Sequence, residues 1–212
     1  MNDVRIQDRR ATVYKPALIE TSHFSGFCLV RDLSSRGMRG RVYASFAPNQ
    51  SIMVQFSTEV TVSGLVVWSE DGHIGIEFAN PIDVASVLSN VHKSLRKRKI
   101  ARAPRLKIEC GGTIKIGDRN LSIRLQDISQ RGAKVLSSFV RPGDEVEVDL
   151  GGIERRATVC WTRGEYAGLN FVRSLSFEEL AQWVIDQKFG CHNLGANPTT
   201  ASTTHHEALL EN

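Results

Sequence analysis

The sequence predicts an all-β protein with short packing helices, built as two antiparallel β-barrels in tandem, each followed by a C-terminal helix. Three observations carry this. One series of landmarks occurs twice, apolar side chains between the landmarks recur with period 2, and each copy ends in a short stretch of helical period. A chain of 212 residues has room for two domains of about 100 residues each.

The first copy opens with Arg5, Arg9 and Arg10, passes through a strand-like stretch to Asp32-Leu33-Ser34-Ser35-Arg36-Gly37, and then reaches Trp68, Gly75 and Phe78. The second runs through Arg98, Arg102 and Arg105 to Asp127-Ile128-Ser129-Gln130-Arg131-Gly132, and on to Trp161, Gly168 and Phe171. Aspartate and tryptophan lie 36 residues apart in one copy and 34 in the other, which marks a duplication.

Between these landmarks Leu106/Ile108/Cys110, Leu121/Ile123/Leu125, Val146/Val148/Leu150 and Ala157/Val159/Trp161 alternate, as Ile74/Ile76/Phe78 do in the first copy. Alternation places one set of side chains on one face of a strand. On that phase Trp68 and Trp161 are expected in the cores. Pro48-Asn49-Gln50 and Arg141-Pro142-Gly143-Asp144 mark equivalent turns. Many short strands with no long helix between them argue for barrels, because closure removes exposed edges.

Helical spacing follows at Val84, Val87, Leu88, Val91 and Leu95, and again at Leu180, Trp183 and Val184. Ser176 and Glu179 have the spacing of a capping box, with Leu175 and Leu180 placed as a hydrophobic staple. Each helix is expected to pack on its own barrel, since a short helix alone is marginal in water. The domains are therefore expected at 1–95 and 96–189, with 190–212 a mobile tail that has no sustained apolar period.

Composition narrows the function. No apolar run approaches the ~20 residues that span a bilayer, and the opening MNDVRIQDRR has no apolar core of the secretory kind. Cys28, Cys110, Cys160 and Cys191 form no CxxC pair and read as reduced structural thiols of a cytoplasmic protein. Cys191-His192 and His205-His206 match no zinc spacing, so no metal or cofactor is expected. The stretch Lys93–Lys107 carries eight basic residues and no acidic one, whereas the rest of the chain is slightly acidic. Such a local positive field, with aromatic residues at only 7%, speaks against a general DNA or RNA binder. No P-loop, GxGxxG, HExxH or GxSxG motif occurs, so catalysis is not expected.

RxxxR followed by DxSxxG, present twice and trailed by tryptophan, glycine and a helix, resembles the PilZ domain. The resemblance covers all but the tail. It implies two six-stranded PilZ-type barrels that bind cyclic di-GMP. It assigns ligand contacts to Arg5, Arg9, Asp32, Ser34 and Gly37 in the first copy, and to Arg98, Arg102, Asp127, Ser129 and Gly132 in the second. Arg10 and Arg105 are neighbouring arginines that substitute or assist. The register of the second arginine motif is open: Asp127 follows Arg105 by 22 residues and Arg102 by 25, while Asp32 follows Arg9 by 23.

The residue types suit that ligand. A guanidinium clamps a phosphate, pairs with guanine O6 and N7, or stacks on a base. A carboxylate accepts from guanine N1–H or N2, and a hydroxyl donates or accepts. The glycine permits either close approach of backbone to ligand or a positive φ. The implied protein is a receptor and adaptor that relays the messenger to a separate downstream protein, through a changed interdomain arrangement or partner binding. The alternative is a PilZ-type protein-interaction scaffold that has lost ligand binding in one or both domains.

Overall fold

The structure, a computed structural model, describes residues 11–57, 60–85, 87–88 and 104–190. The first barrel comprises β1 (Ala11–Glu20), β2 (Ser25–Leu33), β3 (Gly37–Arg41), β4 (Ser51–Ser57), β5 (Val60–Glu70) and β6 (His73–Phe78). The second comprises β7 (Leu106–Ile116), β8 (Arg119–Ser129), β9 (Gly132–Leu136), β10 (Glu145–Asp149), β11 (Glu154–Arg163) and β12 (Tyr166–Phe171). Each is a closed six-stranded antiparallel barrel, with strand order β1-β2-β3-β6-β5-β4 in the first and the same circuit in the second. The duplication extends to single hydrogen bonds. Asn49 N–H donates to Val66 O at 2.7 Å, and Gly143 N–H donates to Val159 O at 2.8 Å. Both turn residues have positive φ, 65° for Asn49 and 96° for Gly143, which is why asparagine and glycine stand there.

Alternation builds the cores. Ile52, Val54 and Phe56 on β4 and Val146 and Val148 on β10 point inward and are almost wholly buried. Each such side chain stabilises the fold by roughly 1.5–3 kcal/mol. Cys28 is fully enclosed in the first core, and burial pushes its thiol pKa up to about 12.

Three β-bulges recur at equivalent positions in the two barrels, between Thr12 and Lys15, Val30 and Asp32, and Val66 and Trp68 in the first. The second barrel has them between Lys107 and Cys110, Leu125 and Asp127, and Val159 and Trp161. A bulge sets two residues against one and so inverts the inward–outward phase beyond it. Trp68 and Trp161 are therefore not core residues, contrary to the period-2 expectation, and are 40% and 42% exposed. Cys160, next to the inward Val159, faces solvent by alternation, so of the described cysteines only Cys28 is a fully buried thiol.

Helix α1 (Phe177–Phe189) follows the second barrel. Ser176 is its N-cap and accepts from Glu179 N–H at 3.0 Å, and Leu175 and Leu180 are both buried as the staple requires. The indole N–H of Trp183 donates to the carbonyls of Leu150 and Gly151, at 3.2 and 3.0 Å, and Arg155 pairs with Glu179. These contacts hold α1 on its own barrel. After the first barrel the described residues show only a helical beginning at 84–85 and 87–88, where Val87 N–H donates to Asp83 O at 3.0 Å. Val91 and Leu95 lie outside the described residues, so a full helix after each barrel is not established.

The opposite side of α1 rests on the first barrel. Phe177 packs edge-on against Phe27, with ring centroids 6.4 Å apart, and against Tyr43 at 6.2 Å. Phe189 stacks on Phe24 at 6.5 Å, and Lys188 Nζ donates to Ser25 Oγ at 2.8 Å. Phe27 and Leu29 of β2 thereby join the apolar cluster of the second barrel. The residues of the second barrel equivalent to Phe27 and Leu29 are Ser122 and Arg124, so this docking face belongs to one copy alone.

Candidate functional site

Strand register brings the sequence landmarks together on the outer face of each barrel. Asp32 on β2 pairs with Arg39 on β3, Arg39 with Gly75 on β6, and Gly75 with Trp68 on β5. The second barrel repeats the row as Asp127, Lys134, Gly168 and Trp161. Neighbouring strands lie about 4.8 Å apart, so a carboxylate, a cation and an indole stand side by side within reach of one planar ligand. Two of the three bulges make this possible: they turn Asp32 and Trp68 outward while Val30 and Val66 stay in the core at 0% exposure.

Gly75 and Gly168 are glycines because the indole needs the space. A Cβ on either would collide with Nε1 and Cε2 of Trp68 or Trp161, so each indole lies against bare backbone of the next strand. In the first barrel this row forms the floor of a cleft of about 770 Å³, whose walls include Ser34, Arg36, Gly37 and Glu77. The volume falls in the range of small-ligand sites.

The motif residues divide into two kinds. Asp32 is half-buried and forms an ion pair with Arg39, Oδ2 to Nε, at 2.8 Å. Asp127 is bound instead by Arg105, Nη1 to Oδ1, at 2.5 Å. Ser34 and Ser129 hold the turn: each Oγ donates to the carbonyl of the motif glycine, Gly37 or Gly132, at 3.1 Å. Ser129 is only 2% exposed, so its hydroxyl serves the turn in this conformation. Gly37 and Gly132 have no positive φ. A Cβ on Gly37 would meet Ile76 O at 2.5 Å and one on Gly132 would strike Leu169 O, so these glycines are fixed by strand-to-strand approach. Of the two roles expected for the glycine, the positive φ is not found, and strand-to-strand approach requires a glycine instead.

Arg5, Arg9, Arg10, Arg98 and Arg102 lie outside the described residues, as do His192, His205 and His206. Arg105 is described, and the sheets resolve its place. Ala11 pairs with Leu33 and Leu106 with Ile128, each one residue beyond the motif aspartate, so Arg105 corresponds to Arg10. Arg36, Arg39, Trp68 and Glu77 were not among the residues expected at the site. Arg39 was legible as the outward residue two positions after Gly37; the tryptophans were hidden by the bulges.

The family model for the PilZ domain matches residues 4–93 and again 97–186. The chain belongs to the PilZ domain family. Its two PilZ domains are the two barrels, and the row from aspartate to tryptophan is carried by both. No curated protein matches the chain. Among solved structures it is similar to PlzA of Borreliella burgdorferi in complex with c-di-GMP, at 13% identity and TM-score 0.39, covering 84% of this chain and 88% of that one. It is also similar to YcgR of Escherichia coli in complex with c-di-GMP, at 13% identity and TM-score 0.33, covering 81% and 82%. The Bacillus subtilis inhibitor of motility MotI is similar at 12% identity and TM-score 0.34, covering 86% and 100%. Among the described residues no helix is long and apolar enough to cross a membrane.

Proposed function

We propose that this PilZ protein is a non-enzymatic receptor for cyclic di-GMP, with one site on the outer face of each barrel. The observation that carries the reading is the row of Asp32, Arg39, Gly75 and Trp68, repeated as Asp127, Lys134, Gly168 and Trp161. A guanine stacked on an indole offers N1–H and N2 donors to a carboxylate and O6 and N7 acceptors to a cation. Two phosphates need further positive charge, which the RxxxR arginines Arg5 and Arg9, or Arg98 and Arg102, supply from the segments preceding β1 and β7. Arg10 and Arg105 assist, and Arg105 links the linker directly to Asp127.

The relay runs through strands that belong to both site and interface. β2 carries Asp32 near one end and Phe27 and Leu29 under α1 near the other, and β3 carries Arg39 in the cleft and Arg41 within 4.0 Å of Glu178 on α1. A ligand that moves β2 or β3 at the site shifts the seat of α1, and the arrangement of the two barrels presented to a downstream protein changes with it. Calorimetric titration of the full chain with cyclic di-GMP tests the receptor reading. Saturable heat, weakened separately by Arg9→Ala and Arg102→Ala, is expected; no heat at tens of micromolar ligand refutes it.

A further inference from the structure

The duplication provides an internal comparison, because the two rows differ at one position. In the first barrel it is Arg39, which pairs with Asp32 at 2.8 Å, Nε to Oδ2, and whose side chain is more than half exposed. In the second it is Lys134, whose ammonium lies 4.1 Å from the centroid of the Tyr166 ring. Asp127 takes its cation from Arg105, which stands directly before β7 rather than on the neighbouring strand. One site therefore has a guanidinium fixed on a strand, and the other has a point charge drawn toward an aromatic ring. Arg39 sits one strand from Gly75, beside the indole of Trp68 that covers it.

Resting on the receptor reading, we infer that Arg39 is the residue that makes the first site selective for guanine over adenine, and that the second site is the less selective of the two. A planar guanidinium beside the indole presents paired donors to the O6 and N7 of a stacked guanine. Adenine offers N7 beside an N6 amine, a donor where guanine has an acceptor, so the second hydrogen bond is replaced by a donor–donor clash. A lysine has three rotatable donors and no fork, so it engages O6 and N7 without fixed geometry and discriminates less sharply. The two barrels thus respond to the same dinucleotide with different discrimination.

The test titrates cyclic di-GMP and cyclic di-AMP by calorimetry into the full chain carrying Asp127→Ala, which leaves the first site as the only intact one, with and without Arg39→Lys. Arg39 is exposed and its pair is a surface one, so the fold is expected to survive, and a thermal melt verifies this. The expected result is a preference for the guanine dinucleotide that falls roughly 5- to 100-fold with Arg39→Lys. In the converse background, Asp32→Ala, adding Lys134→Arg raises the preference of the second site. An unchanged ratio with Arg39→Lys overturns the inference while leaving the receptor reading intact, as does loss of all binding with Asp127→Ala alone. Failure of the unsubstituted chain to bind either dinucleotide overturns both.

Discussion

The indole of Trp68 lies where a side chain on Gly75 would have to be, and Trp161 stands in the same relation to Gly168. Each pair joins adjacent strands, β5 to β6 and β11 to β12, immediately after a bulge. An exposed tryptophan flattened on bare backbone offers one face to solvent at little cost in mobility, which is what a stacking platform requires.

Trp68→Ala is accordingly expected to weaken cyclic di-GMP binding at the first site by about 1–3 kcal/mol, the usual worth of one base–aromatic stack. Its melting temperature is expected to change little, because the indole is already 40% exposed. Calorimetry and a thermal melt on the same variant separate the two. A large loss of stability with unaltered affinity would assign the residue to the fold.

Gly132→Ala should act in the opposite sense. The added methyl is driven into the carbonyl oxygen of Leu169 on the neighbouring strand, where backbone cannot give way as a side chain would. Overpacking of this kind costs about 1–3 kcal/mol, so chemical denaturation should show the second barrel unfolding at lower denaturant.

Phe27→Ser places in the first barrel the residue type that the second barrel has at Ser122. The ring is 5% exposed and meets Phe177 across the interface, and losing a buried phenylalanine costs about 3–5 kcal/mol. Much of that loss falls on the docking of α1, so small-angle scattering should report a larger radius of gyration while circular dichroism retains the β signal. Identical scattering profiles would show that other contacts hold the barrels together.

The thiols should differ sharply. Burial holds Cys28 protonated to about pH 12, whereas Cys160 is exposed. At pH 8 iodoacetamide should label Cys160 and spare Cys28, as peptide mass spectrometry will read. The linkage follows the same shift: a folded-state pKa raised from 9.0 to about 12 means that the unfolded chain loses its proton first. The contribution of Cys28 to stability is therefore complete below pH 9.0 and is lost as pH climbs toward about 12. Cys28→Ala should flatten that alkaline decline, measured by denaturant melts across the range.

Local patterns determined much of this molecule. Repetition of Asp32, Gly37, Trp68 and Gly75 at Asp127, Gly132, Trp161 and Gly168 revealed two copies, and period 2 along Val146, Val148 and Leu150 supplied strands and core, because alternation and burial are the same property of an extended chain. The capping of α1 by Ser176 was equally local. Tertiary structure alone decided which landmarks face one another. A bulge adds one residue to one strand, leaves no mark in composition, and reverses every side chain beyond it; hence Trp68 and Trp161 lie on the outer face and not in the core. The pairing of Asp32 with Arg39 but of Asp127 with Arg105 depends on how neighbouring strands and the segment before β7 come together, and the docking of Phe177 on Phe27 joins residues 150 positions apart. No periodicity within a single segment encodes such meetings, because they are set by the closure of the barrels and the packing of one helix against both.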